Sequence, residues 1–279
     1  MKSIISTLTI ALLSVSAALA APPEFFPFDS GVGRGKPEWT PDRQAEALKA
    51  FGYDGIGYNF TTPEDLDAWN KALDARGLKL YSIYVGTKLG ARDPIPPKLV
   101  DAIALLKGRQ TLVWLNIQKD KAVKSGENDE EAVKIVRDVC AMAAKQGVRV
   151  ALYGHFGFYV EDTEDCLRIL EKSKCENLSA SFNLCHELFS GNQDRLVEII
   201  RKSAPRLALV SINGADPATK RNILRLDQGA LDVASILTSI RDAGYKGPVG
   251  LQCYGVPGEV EENLKANMDA WKKITRSMN

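Results

Sequence analysis

Short apolar runs alternate along the chain with longer stretches bounded by helix start and stop signals. The first run is EFFPFDSG. Thr40-Pro41 then opens a helix that stops at Phe51-Gly52, with Thr at the cap and Pro in the first turn. DGIGYNF follows, then the same signal in Thr62-Pro63-Glu64 and a helix ending near Arg76-Gly77. LKLYSIYVG precedes a helix over 98–107. TLVWLNIQ precedes a loop and a long helix over 129–146, closed by Gly147. VRVALYGHFG, LSASFNLCHE and RLALVSINGAD read as the fifth to seventh strands, with helices over 164–172, 193–202 and 232–243. GPVGLQCYGV is the eighth strand and 260–274 the last helix. No linker, low-complexity stretch or sequence repeat divides the chain. A strand–helix unit repeated eight times predicts an α/β fold, a single-domain (β/α)8 TIM barrel.

Within the runs the side chains alternate between two faces. Ser181 and Asn183 oppose Phe182 and Leu184, and Tyr153 and His155 oppose Val150 and Leu152. Trp114, Asn116 and Gln118 share a face, as do Ser82 with Tyr84, Ser211 with Asn213, and Gln252 with Tyr254. A strand buried on both faces stays apolar to its tip. Polar and aromatic groups at the C-terminal ends of six strands therefore predict a polar pocket at the barrel mouth, where such barrels carry their active sites. The two histidines of the chain, His155 and His186, fall at the ends of neighbouring runs. That placement points to metal binding or acid–base work. Asn183 and Gln252 add two oxygen donors. A set of two imidazoles and two amides, with no anionic ligand, predicts a weakly held divalent cation completed by water or substrate oxygens.

Composition narrows the partners. Lys plus Arg total 36 against 35 Asp plus Glu, with no basic block, which weighs against nucleic acid and anionic membrane surfaces. Residues 1–20 read as a secretory leader: Lys2, an apolar stretch from Ile4 to Leu13, and Ala18-Leu19-Ala20 before a cut at Ala21. The stretch is short for a membrane span, so the expectation is an exported protein, periplasmic or secreted, whose domain covers 21–279. The five cysteines form no C-x-x-C pair. GVGRGK at Gly31–Lys36 lacks phosphate-loop spacing and reads as a loop beside the mouth.

With ALYGH, FNLCH, SINGAD and GLQCYG at the ends of strands five to eight, the chain resembles the xylose isomerase-like superfamily, and most closely its exported branch. These are the sugar phosphate isomerase/epimerase proteins, related to endonuclease IV. The resemblance covers the mature chain. It implies a divalent ion (Mn, Mg, Co or Zn) held by Glu, Asp, His and Glu on strands five to eight, two of these carboxylates serving as acid and base, and no organic cofactor. By strand position those four fall on His155, Asn183, Ser211 or Asn213, and Gln252. The family's Asp-x-x-His appears as Asn183-x-x-His186, so both acid–base carboxylates are replaced.

Sugar phosphates are cytoplasmic metabolites, so export implies a non-phosphorylated sugar, keto-sugar or keto-glycoside. Tyr84 and Trp114 are expected to stack on it, with Asn116, Gln118 and Asn213 bonding its hydroxyls and Tyr254 as a further substrate-binding residue. The leading expectation is an isomerase/epimerase-like enzyme that removes a proton α to a carbonyl, assisted by a metal at His155, Asn183, His186 and Gln252. His155, His186, Glu187 and Asp29 are the acid–base candidates. Two alternatives are a lyase that eliminates the aglycone from 3-keto-glycosides and a non-catalytic sugar-binding barrel.

Overall fold

The structure is a computed structural model and describes residues 22–120 and 126–278. The expected leader, with its cleavage point, lies outside the described residues.

The chain builds β1 (Phe25–Pro27), α1 (Pro41–Phe51), β2 (Gly55–Asn59), α2 (Pro63–Asp74), β3 (Lys79–Lys88), α3 (Leu99–Leu105), β4 (Leu112–Gln118) and α4 (Asp129–Ala144). It continues through β5 (Arg149–Leu152), α5 (Thr163–Ser173), β6 (Leu178–Asn183), α6 (Leu184–Phe189), α7 (Leu196–Ser203) and β7 (Leu207–Ile212). Then come β8 (Gly214–Asp216), β9 (Arg221–Leu224), α8 (Val233–Asp242), β10 (Val249–Leu251) and α9 (Val260–Ser277). The parallel sheet has 8 strands in the order β1-β10-β7-β6-β5-β4-β3-β2. A parallel bridge from Phe28 to Gly57 joins β1 to β2 and closes the barrel.

Local chemistry starts and stops these helices. Thr40 accepts from the Arg43 N–H and Thr62 from the Asp65 N–H, each with Pro in the first turn. Asp162 and Asp232 cap α5 and α8 in the same way. Gly52 ends α1 at φ 85°, a conformation that costs glycine least.

Strand parity divides the apolar residues into two layers. Ile83, Val113, Leu115, Val150, Leu152, Phe182, Val210 and Ile212 pack outward against the helices. Phe26, Phe28, Tyr81, Trp114 and Tyr153 fill the barrel interior. There Phe26 stacks on Tyr81 at 4.2 Å, and Trp114 meets Tyr153 edge-on at 4.4 Å between centroids. The interior is thus an aromatic plug with one open end.

Strand expectations change at that end, and the eighth strand stops at Leu251, short of Gln252 and Tyr254. The sixth strand stops at Asn183, and Cys185, His186 and Glu187 lie in the short helix α6. Leu184, Cys185 and Leu188 are all buried there, a spacing that suits a helical turn better than a strand. The fifth strand ends at Leu152, and His155 stands on the following loop. The seventh ends at Ile212, after which β8 pairs antiparallel with β9 as a separate hairpin. The helix expected over 193–202 begins instead at Leu196, after a 3-10 turn over Gln193–Arg195.

Candidate active site

The open end of the plug is a cavity of about 290 Å³. Its floor and walls are aromatic: Phe28 after β1, Tyr84 from β3, Trp114 from β4 and Tyr153 after β5. Gly57 of β2 keeps the floor open, because a Cβ there would lie 2.8 Å from the Phe28 ring. Asn59 and Ser82 add polar atoms, and Ser30 and Arg34 reach in from the loop after β1. Ile223 of the hairpin covers one side, and Gln252 and Tyr254 come from the segment after β10. Arg34 is the one charged side chain among the described lining residues, and no carboxylate is among them.

The two histidines meet here, with ring centroids 4.2 Å apart. His155 Nδ1 lies 2.8 Å from the Phe156 carbonyl. A carbonyl only accepts, so Nδ1 carries the proton and Nε2 keeps its lone pair. His186 is the opposite tautomer. Its Nδ1 accepts from the Phe156 N–H at 3.3 Å, so Nε2 carries the proton and donates to Tyr153 Oη at 2.9 Å. Gln252 Oε1 accepts from the N–H groups of Cys253 and Tyr254, both at 3.0 Å, which aims its amide nitrogen at Tyr153 Oη, 3.5 Å away. Tyr153 Oη thus faces two donors, and none of the described hydrogen bonds gives its own proton an acceptor.

Burial sets the charge states. It pushes His186 down to about 3, with the neighbouring His155 adding to the effect. It also lowers His155, against the opposing pull of the hydrogen bond to the Phe156 backbone. Both rings are therefore neutral at pH 7. Burial holds Tyr153 far above its usual value, so the phenol keeps its proton.

The four expected metal ligands do not fit a divalent ion. Both ring nitrogens of His186 are engaged, and Gln252 Oε1 already accepts two N–H groups. Asn183 is 2 % exposed and lies below the cavity. Its amide donates to the Gly154 carbonyl at 3.1 Å and its oxygen accepts from Ser211 Oγ at 2.9 Å. His155 Nε2 alone remains, without an anionic partner. Among the described residues no group of three His, Cys, Asp or Glu could hold a metal ion.

The other expected residues divide. Tyr84, Trp114 and Tyr254 line the cavity; Asn116, Gln118 and Asn213 do not. Asn116 donates to the Val85 carbonyl at 2.9 Å, and Gln118 donates back to Asn116 at 3.3 Å. Asn213 donates to the Gly214 and Asn222 carbonyls and fastens the hairpin. Their polarity serves neighbouring backbone or, for Gln118, the Asn116 side chain.

Asp29 and Glu187 also stand behind the wall. Asp29 accepts from the Asn59 backbone at 2.9 Å and from the Asn59 amide, and so orients a lining residue. Glu187 accepts from Thr163 N at 2.8 Å, Thr163 Oγ1 at 2.6 Å and Asn192 Nδ2 at 2.8 Å, which ties α6 to the start of α5. Burial raises both carboxyls above their usual range.

Sequence reasoning missed Arg34, Asn59 and Ile223, and gave Tyr153 no role. Arg34 sits in the loop already placed beside the mouth, and Asn59 shares the parity of Gly57, so both had a signal. Ile223 had none, because the hairpin itself was unforeseen.

A family model described as xylose isomerase-like TIM barrel matches residues 45–274. No curated protein matches the sequence. Among solved structures, the apo 3-keto-D-glucoside 4-epimerase of E. coli superposes with a TM-score of 0.71 at 15% identity, covering 92% of this chain and 100% of that one. D-allulose 3-epimerase from Methylomonas sp., in complex with D-allulose, superposes at 0.73 and 16% identity over 91% of this chain and 99% of that one. A xylose isomerase-like TIM barrel protein from Mycobacterium smegmatis, in complex with magnesium, reaches 0.66 at 16% over 92% and 97%. At these identities the likeness establishes the fold.

Proposed function

The chain belongs to the xylose isomerase-like TIM barrel family, and from that membership and the cavity we propose an exported enzyme that moves a proton on a carbon next to a carbonyl of a non-phosphorylated keto-sugar or keto-glycoside. One observation carries the reading: the hydrogen bonds leave one basic nitrogen, His155 Nε2, and one donor proton, that of Tyr153, on two residues that line the same small aromatic cavity. Two similar structures are a 3-keto-D-glucoside 4-epimerase and a D-allulose 3-epimerase in complex with D-allulose, which supports a sugar as the ligand. The size of the cavity, about 290 Å³, suits one sugar ring. The aromatic walls suit the faces of such a ring, and the single Arg34 offers little to a phosphate.

In this reading His155 Nε2 takes the α-proton, and the electron pair moves to the carbonyl oxygen. The Tyr153 proton, aimed by His186 and Gln252, holds the developing oxyanion. The base works while His155 is neutral, so kcat/KM falls on the acid side with an apparent pKa below 6.5.

A single base limits the outcome. Epimerisation returns the proton to the opposite face of the carbon and calls for a second group there. Elimination needs one: the proton leaves C2 of a 3-keto-glycoside, the C1–O bond breaks, and protonated His155 passes its proton to the leaving oxygen. Isomerisation on one face also needs one. We therefore place elimination and isomerisation ahead of epimerisation. A second reading, a sugar-binding barrel without turnover, is favoured by the lack of carboxylates among the described lining residues.

The test is incubation in D₂O with a panel of keto-sugars and 3-keto-glycosides, followed by NMR. Deuterium at an α-carbon or release of aglycone, lost in His155→Ala with the fold retained, supports the enzyme. Sugar binding by thermal shift with neither event would establish the binding barrel.

A further inference from the structure

The most exposed aromatic rings of the described residues lie in the cavity lining or next to residues that line it. Tyr254 is 64% exposed, Phe156 45% and Phe189 40%; the other large hydrophobics exposed to this degree are Val100 and Val197. Two of the three, Phe156 and Phe189, are in contact. Phe156 stacks on Phe189 at 5.7 Å and 27°, and Phe189 lies 6.3 Å from the His186 ring. Tyr254 lines the cavity itself. Water-facing rings held together beside an acid–base pair are what an apolar ligand group would cover.

Depth decides which part of the substrate that is. Tyr153 is 3% exposed and stands at the cavity floor, so a carbonyl bonded to it points inward. The substituent two carbons away then points outward to the rim. We propose that Phe156 and Phe189 form a second subsite, which stacks the apolar aglycone of a keto-glycoside while its sugar ring fills the cavity. This rests on the proton-transfer reading and names its substrate class. The aromatic pair offers ring faces and no hydrogen-bonding side chain of its own, which favours an aryl aglycone over a second sugar. Atoms balance: one keto-glycoside gives one enone sugar and one alcohol, and the proton taken from C2 ends on the leaving oxygen.

The experiment compares phenyl and methyl 3-keto-β-glucosides on the wild type, Phe189→Ala and Phe189→Leu. A phenolate leaves faster on chemical grounds alone. The readout is therefore the change in the phenyl-over-methyl ratio of kcat/KM between proteins, together with the same ratio of Kd from the fluorescence of Trp114 and its neighbours. Phe189→Ala should lower both ratios about 2- to 10-fold, with Phe189→Leu between it and the wild type. Unchanged ratios in folded variants would overturn the subsite. So would a cellobiose-type 3-keto-glycoside that binds more tightly than the phenyl compound. Unchanged ratios with a smaller size in gel filtration would mark the rim as a contact between copies. If no glycoside turns over but the Kd ratio drops as stated, the subsite stands and the catalytic reading falls.

Discussion

Acid should destabilise this protein through His186, by an amount the structure supplies. The ring titrates near 6.5 in an unfolded chain and at about 3 in the folded one. Its folded value is depressed, so between these limits the unfolded state binds the proton and the native state does not. Stability is fully present above 6.5 and is lost as pH falls toward 3, at about 1.4 kcal/mol per pH unit. At pH 4.5 the loss comes to about 2.7 kcal/mol. His186 is 6% exposed, so solvent screening takes little from this figure.

The comparison protein is His186→Gln, which keeps an amide in place of the ring and removes the titration. Asp29 and Glu187, raised by burial, act in the opposite sense, since their native forms hold protons more tightly. They are present in both proteins and cancel in the difference. Urea unfolding at several pH values between 7 and 4.5 gives the free energy of each. The wild type's advantage over the variant should shrink by about 2.7 kcal/mol across that range. An advantage that stays constant would show that His186 titrates as a solvated ring does. The tautomer that aims the Tyr153 proton would then have no basis.

Three further outcomes follow from the site. Tyr153→Phe removes the proton aimed at the carbonyl oxygen, so kcat should fall about 100- to 1000-fold with KM little changed, and a near-wild-type kcat would refute its role. Turnover should survive prolonged chelation with EDTA, because His155 Nε2 is the one free donor of the four expected ligands; loss on chelation with recovery on added Mn²⁺ would refute the donor argument. Glu187→Gln replaces one acceptor with an amide nitrogen facing Thr163 or Asn192, so unfolding free energy should drop by about 1–3 kcal/mol with turnover per folded molecule retained. A tenfold loss of kcat at unchanged stability would instead make Glu187 catalytic.

How much of this was legible depended on distance along the chain. Helix starts at Thr40-Pro41 and Thr62-Pro63 involve side chains and N–H groups three residues apart, so the sequence alone reveals them. Strand parity is equally local, because the pleat forces Trp114 inward wherever Val113 and Leu115 face the helices. The barrel, its open end and its aromatic lining follow from these two rules.

The identity of the working groups does not. Asn116 and Asn183 have the parity of cavity residues, yet each is consumed by a carbonyl on a neighbouring segment, 31 and 29 residues away. His155 and His186 are alike in sequence, but the Phe156 backbone gives them opposite tautomers. The sequence determined which faces hold polar atoms, since that depends on backbone geometry repeated every two residues. Only the tertiary structure decided which atoms remain free for chemistry, because a hydrogen bond needs its partner within about 3 Å and folding alone brings those partners together.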